Sequence, residues 1–196
     1  MKILTINNKQ EEKFLRTKTA DFDFSHNAEQ RGTNPDSRAK LATGRSAELC
    51  KIIKEMKETM LQASGIGLSA NQIGLNIRMF VALVPEKPLK RDEKNKIIMP
   101  SPDEAKFYAI FNPEIIKTSK EKSIIEEGCL SVPGIYGEVE RPEKITLIGQ
   151  DKNGKKIKIK SEGLEARVFQ HEIDHLNGIL FIDRCKKVHA IDNSKS

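Results

Sequence analysis

The chain has 196 residues and a formal charge of +6, a length that suits one domain with a full core, read here as a single unit over 1–196. No apolar run approaches the ~20 residues of a membrane span. The first residues lack a signal-peptide core and their glutamates argue against a transit peptide, while three widely spaced cysteines, Cys50, Cys129 and Cys185, make no disulfide framework and point to a reducing cytoplasm.

Residues 1–20 mix apolar and charged positions without a period, and 21–44, with Gly32, Pro35 and Gly44, read as a loop. Ser46 to Ala63 reads as a helix: Leu49, Ile52, Ile53, Met56 and Met60 form one stripe, and Cys50 beside it reads as a small core residue. Ser64-Gly65 ends that helix. Ile77–Val84 is an apolar run of β formers. The charged stretch 85–106 has no interleaved aromatics, so it reads as a solvated loop and not as a nucleic-acid patch, and no specific DNA partner is expected. Phe107–Phe111 reads as a strand stopped by Asn112-Pro113. Ile115–Lys117 and Ser123–Glu126 are short strand candidates, and Lys144–Gln150 with Lys155–Lys160 alternate around a turn at Asp151–Gly154.

The last periodic stretch carries the chemistry. In His171-Glu172-Ile173-Asp174-His175 the two histidines lie about 40° apart around a helix, so both rings reach one metal ion from one face. Glu172, roughly 100° round from His171, can lean over the open side and take a proton from water. Leu164, Val168, His171 and His175 continue one inward stripe. Ser161 is the expected N-cap and Asn177-Gly178 the stop. The predicted fold is α+β: antiparallel β-sheets packed around a buried C-terminal metal-binding helix, with a helix nearer the N-terminus.

A third ligand is needed. Phe181 stands where a metzincin has its third histidine, and only 21 residues follow His175, so the ligand comes from another stretch. Cys129, in Glu126–Gly134, is one candidate and Cys185 is the competitor; spacing alone does not choose between them. The glycine-rich stretch Gly65–Gly74 lacks the lysine of a phosphate loop, which argues against nucleotide binding. Gln72 within it carries an amide that must be bonded or used.

Three stretches in order, Gly65–Gln72, Glu127–Ser131 and Gln170–Leu176, resemble the Gly-x-Gly-Leu-Ala-Ala-x-Gln, Glu-Gly-Cys-Leu-Ser and Gln-His-Glu-x-Asp-His-Leu motifs of the peptide deformylases. The resemblance runs from the first strand region to Arg184. It departs at Ser69, where the family's first alanine is usual, a small-for-small change expected to be tolerated. The stretches 21–44 and 85–106 are long for the family. The resemblance implies removal of the formyl group from formyl-methionine of newly made polypeptides. It assigns Cys129, His171 and His175 to one divalent metal, ferrous iron, with nickel, cobalt or zinc as substitutes. It makes Glu172 the general base and gives the oxyanion to Gln72 and the Leu130 N–H. An extended peptide pairs between Ile66-Gly67 and Gly128, and Ile66, Ile125 and Val168 are candidates for the methionine slot, though each reads equally well as ordinary core. Glu127 and Asp174 either back the histidines or pair with Arg141 or Arg167, the structural role being favoured for Asp174. His26 and His189 read as surface residues. The basic charge suits work near ribosomal RNA, and the tail shows no docking pattern. Two other readings use the same residues: a metallopeptidase acting on internal bonds, and a binding protein that has lost catalysis.

Overall fold

Met79–Val84 is apolar at every position because both faces of its strand are covered. The computed structural model describes residues 1–24, 35–86, 90–91, 97–98 and 104–190, with side chains over 1–24, 47–86 and 104–190; His26 and the residues after Ala190 lie outside these. Among the described residues there are three α-helices: α1 (Lys9–Leu15), α2 (Pro35–Gln62) and α3 (Gly163–Leu176). The strands are β1 (Gly67–Ser69), β2 (Met79–Pro85), β3 (Lys90–Arg91), β4 (Ile97–Ile98), β5 (Ala105–Thr118), β6 (Lys122–Cys129), β7 (Val132–Pro142), β8 (Lys144–Gln150), β9 (Lys156–Glu162) and β10 (Val188–Ala190).

They form a five-stranded sheet ordered β1-β2-β5-β8-β9 and a three-stranded sheet ordered β10-β7-β6, with a separate β3-β4 ladder. All pairings are antiparallel. Along β2, Met79, Val81 and Leu83 pack with Leu49, Ile53, Met56 and Met60 of α2. The alternate residues Phe80, Ala82 and Val84 pack with Val168, Phe169, Ile173 and Leu176 of α3. This period of two places a helix on each face of the first sheet. Burying each of these large side chains contributes about 1.5–3 kcal/mol, which holds α3 in place. The other side of α3 touches β7, so the motif helix lies between the two sheets.

Several expectations need correction. The helix read from Ser46 starts at Pro35, the first-turn position that tolerates proline. Cys50 is exposed and is no core residue; it lies about 100° round the helix from Leu49. The first twenty residues contain α1, capped by the Asn8 side chain, which accepts from the backbone N–H of Gln10 and Glu11 at 2.9 and 3.2 Å. Asn112-Pro113 does not stop a strand. Asn112 takes φ +47° and makes a bulge, after which β5 leaves β2 and runs on against β8. The stretch 85–106 is not all loop, since it contains the β3-β4 ladder. Ser161 is not the cap of α3: it belongs to β9, Glu162 stands at the N-cap, and the buried Ser161 hydroxyl has no partner among the described residues. The stop at Asn177-Gly178 is as expected, with Gly178 at φ +74° directly against the Arg16 carbonyl. His189 is exposed in β10, where it pairs with Glu126 and stacks on Tyr136.

Candidate metal centre

Cys129 is the last residue of β6, at a register shift just before the turn into β7. That irregularity turns the thiol out of the ladder and toward α3. His171 and His175 stand one turn apart on α3. Cys129 Sγ lies 3.0 Å from His175 Nε2, which lies 3.2 Å from His171 Nε2. The three donor atoms all fall within 4.8 Å of one another, the one such group among the described residues. Bonds of ~2.0–2.3 Å at tetrahedral angles set such donors roughly 3.3–3.6 Å apart, so the spacing suits a single metal ion with one position left open. Cys185 is excluded as the third donor: its thiol donates to the Phe181 carbonyl at 3.3 Å and rests against Gly137.

Electrostatics favour the same reading. Burial pushes the Cys129 thiol up, but the adjacent His175 and His171 rings outweigh it and hold the thiol well below its ordinary value. Burial works against the charged form of His171, yet Cys129 and Glu127 raise it well above the usual imidazole value. A divalent cation exerts the same pull on the thiolate and leaves both rings neutral, as metal binding requires.

Glu127 holds the far side of His171. It takes His171 Nδ1 at 2.9 Å, both Nε and Nη2 of Arg141 at 2.6 and 2.9 Å, and Arg167 Nη1 at 2.7 Å. Burial opposes its charge, but His171 and Arg141 hold it well below the usual carboxylate range. A carboxylate on the outer nitrogen fixes the ring and its tautomer. Asp174 is structural, as expected: it accepts from Arg141 Nη1 at 2.7 Å and from Arg184. Paired in this way, these buried charges avoid the several kcal/mol that a lone one costs.

The other expected site residues surround the cluster. Gln72 sits in a 3-10 turn, Ala70–Ile73. Its side-chain Oε1 accepts from the Ser69 N–H at 2.8 Å, which aims its Nε2 at Ser131 Oγ (3.1 Å) and Cys129 Sγ (3.6 Å). Glu172 is 3 % exposed and lies outside the three-donor group. Burial raises its pKa against the pull of both histidines. Its carboxylate rests on Gly67, where a Cβ would lie 2.3 Å from Oε1, so any side chain there would displace the carboxylate. β1, with Gly67, and β6, with Gly128, are edge strands of their sheets. Ile66 and Val168 share one core cluster, Val168 being buried, whereas Ile125 is about half exposed. Sequence reasoning missed Asn71, whose buried amide donates to the His175 carbonyl at 2.6 Å, and the hydroxyl of Ser69, which touches Glu172; the departure from alanine at Ser69 was the available signal.

The family profile described as Polypeptide deformylase matches residues 36–190. A peptide deformylase of Halothermothrix orenii is 42% identical over 152 residues, 78% of this chain and 87% of that one. Another from Novosphingobium aromaticivorans is 43% identical over 146 residues, 72% of this chain and 78% of that one. Among solved structures, peptide deformylase from Thermotoga maritima superposes with a TM-score of 0.66 at 32% identity, covering 95% of this chain and 97% of that one. Peptide deformylase 1B of Arabidopsis thaliana gives 0.69 at 32% identity, covering 95% and 82%. With its three motifs converging on one cluster of donors, the chain belongs to the polypeptide deformylase family and removes the N-terminal formyl group from newly made polypeptides.

Proposed function

We propose that Cys129, His171 and His175 hold one divalent metal and that Glu172, Gln72 and Leu130 carry the chemistry, within a single catalytic domain spanning the chain. The meeting of three donor atoms within 4.8 Å of one another is the observation that carries this reading. When bound, the metal supplies a Lewis acid that lowers the pKa of a water toward ~7. Glu172 takes that water's proton at Oε1 and returns it to the departing nitrogen. The Gln72 amide and the Leu130 N–H receive the oxyanion that forms at the formyl carbon. The extended peptide lies between the β1 and β6 edges, its backbone pairing at Ile66, Gly67 and Gly128. Ile66, Ile125 and Val168 line the methionine slot.

The test is direct. The purified chain, loaded with metal without oxygen, is offered a formyl-Met peptide and the same peptide unformylated. Release of formate from the first, with no internal cleavage of either, is expected. Internal cleavage would favour a metallopeptidase, and metal binding without turnover a binding protein.

The natural metal is proposed to be ferrous iron. Two imidazoles and a thiolate suit zinc, which favours four-coordinate sites, whereas ferrous iron held by Cys129, His171 and His175 would supply a Lewis acid less tied to four donors. The ferrous protein is expected to be the most active and to fail in air, partly because the Cys129 thiolate is oxidisable. A nickel form is expected to be stable and a zinc form weaker. Rates of the three forms before and after aeration check this; zinc matching iron would sink it.

Gln72→Leu is expected to lower kcat about 100-fold with little change in KM, because the amide bond strengthens only as the oxyanion develops. A large rise in KM at unchanged kcat would make Gln72 a substrate-binding residue instead. We further propose a cytoplasmic enzyme working where formylated chains leave the ribosome. Its three free cysteines and net charge of +6 support this, and no helix among the described residues is long and apolar enough to cross a membrane.

A further inference from the structure

Ser69 occupies the one motif position where this chain departs from the family pattern, and its side chain meets the general base. Its hydroxyl contacts Glu172 Oε2 and lies 2.9 Å from the Glu172 backbone carbonyl. Ser69 is fully buried on β1, and Glu172 is carried by α3, 103 positions away. Among the described residues, the carboxylate has no other hydrogen-bond partner. Gly67 lies two residues before Ser69, so both face the same side of the strand. The carboxylate thus rests on a strand that offers it a bare Cα, against Oε1, and a hydroxyl, against Oε2.

We propose that Ser69 is a positioning residue for Glu172: its hydroxyl ties down Oε2, fixes the carboxylate's orientation and leaves Oε1 as the proton acceptor. This rests on Glu172 being the general base. A glutamate side chain has three torsions, and the last one, about the carboxylate, is broad and roughly two-fold. A steric floor such as Gly67 limits the space without choosing an orientation. A hydrogen bond to one oxygen does choose, and one to a charged group is among the stronger kinds. The hydroxyl has one proton, so it can serve either Oε2 or the Glu172 carbonyl. The second contact keeps it in place when the first loosens. An alanine at 69 fits the same space and removes both.

The test compares S69A and S69T with the parent chain, each metal-loaded without oxygen. S69A is expected to lower kcat on the order of 10-fold, the weight of one bond to a charged group, with KM and metal content unchanged. S69T keeps the hydroxyl and is expected to restore kcat. A crystal structure of S69A is expected to show the Glu172 carboxylate in more than one orientation. Should the extra methyl of S69T prevent folding, that structure decides, and a single parent-like orientation overturns the proposal. Unchanged kcat in S69A also overturns it, as does a fall in metal content or Tm that accounts for the lost activity. E172A separates the two levels. If E172A is inert and S69A unaffected, the base stands and the role of Ser69 falls; if E172A remains active, both fall.

Discussion

Glu172→Ala is expected to keep about one metal per chain and to lose turnover by ~10³-fold or more, the upper part of the range for a general base. The carboxylate lies outside the three-donor group, held on β1 by Gly67 and Ser69. Removing it leaves Cys129, His171 and His175 with their spacing intact. It does remove the acceptor for the water's proton. Stability should not mask the effect. Glu172 is 3 % exposed, and burial, with the nearby Cys129 charge, raises its pKa against the histidines and Ser69, so its charge is a cost to the folded state. The isosteric Glu172→Gln keeps the shape and removes that cost. It is therefore expected to melt no lower than the parent while being equally inert. Metal analysis, a melting curve and a formate-release assay on both variants check this. Metal loss in Glu172→Ala comparable to that in His171→Ala would mean that Glu172 is a ligand.

How far the sequence leads depends on the range of the contact that decides each feature. The α3 stripe of Leu164, Val168, His171 and His175 is a local period, and it faces inward as expected, with Val168 and His175 buried and Leu164 and His171 partly so. The apolar run in β2 marked a strand, but not the helices on its two faces. The seven residues of α1 are too few for a period to emerge, and the Asn8 cap was its one local sign. Asn112-Pro113 reads locally as a stop. The strand continues because the Asn112 side chain is tied to Phe22 and Gln150 while β5 passes from one neighbour to another. At the site, His171, Glu172 and His175 stood out because one helical turn carries all three, whereas residue type left Cys129 level with Cys185 and only the family resemblance chose between them. The duties of Glu127 were left open because three of its partners, Arg141, Arg167 and His171, come from distant positions. Structure gives it both candidate roles at once. Ser69 looked inert beside its neighbours, and only the packing of α3 on β1 brings its hydroxyl to Glu172.

Cys129→Ala is expected to abolish tight metal binding, while Cys185→Ala and Cys50→Ala keep it. Structural zinc sites in small domains bind with about 10–16 kcal/mol in total, which sets the scale. Loss of one donor of three thus costs roughly 3–5 kcal/mol, a ~100- to 4000-fold drop in affinity. The thiolate is also the one donor in the set that cancels charge on the cation, so its loss should lie at the upper end. Activity falls with the metal. Cys185 sets the control. Its thiol donates to the Phe181 carbonyl and packs on Gly137, so Cys185→Ala is expected to cost about 1 kcal/mol of stability at unchanged metal content. Cys50 is exposed on α2, and its removal should change neither quantity. Titration of the three variants with a competing chelator, alongside melting curves of their metal-free forms, separates lost ligation from lost packing. If Cys185→Ala releases the metal while Cys129→Ala retains it, the donor set drawn from the end of β6 is wrong.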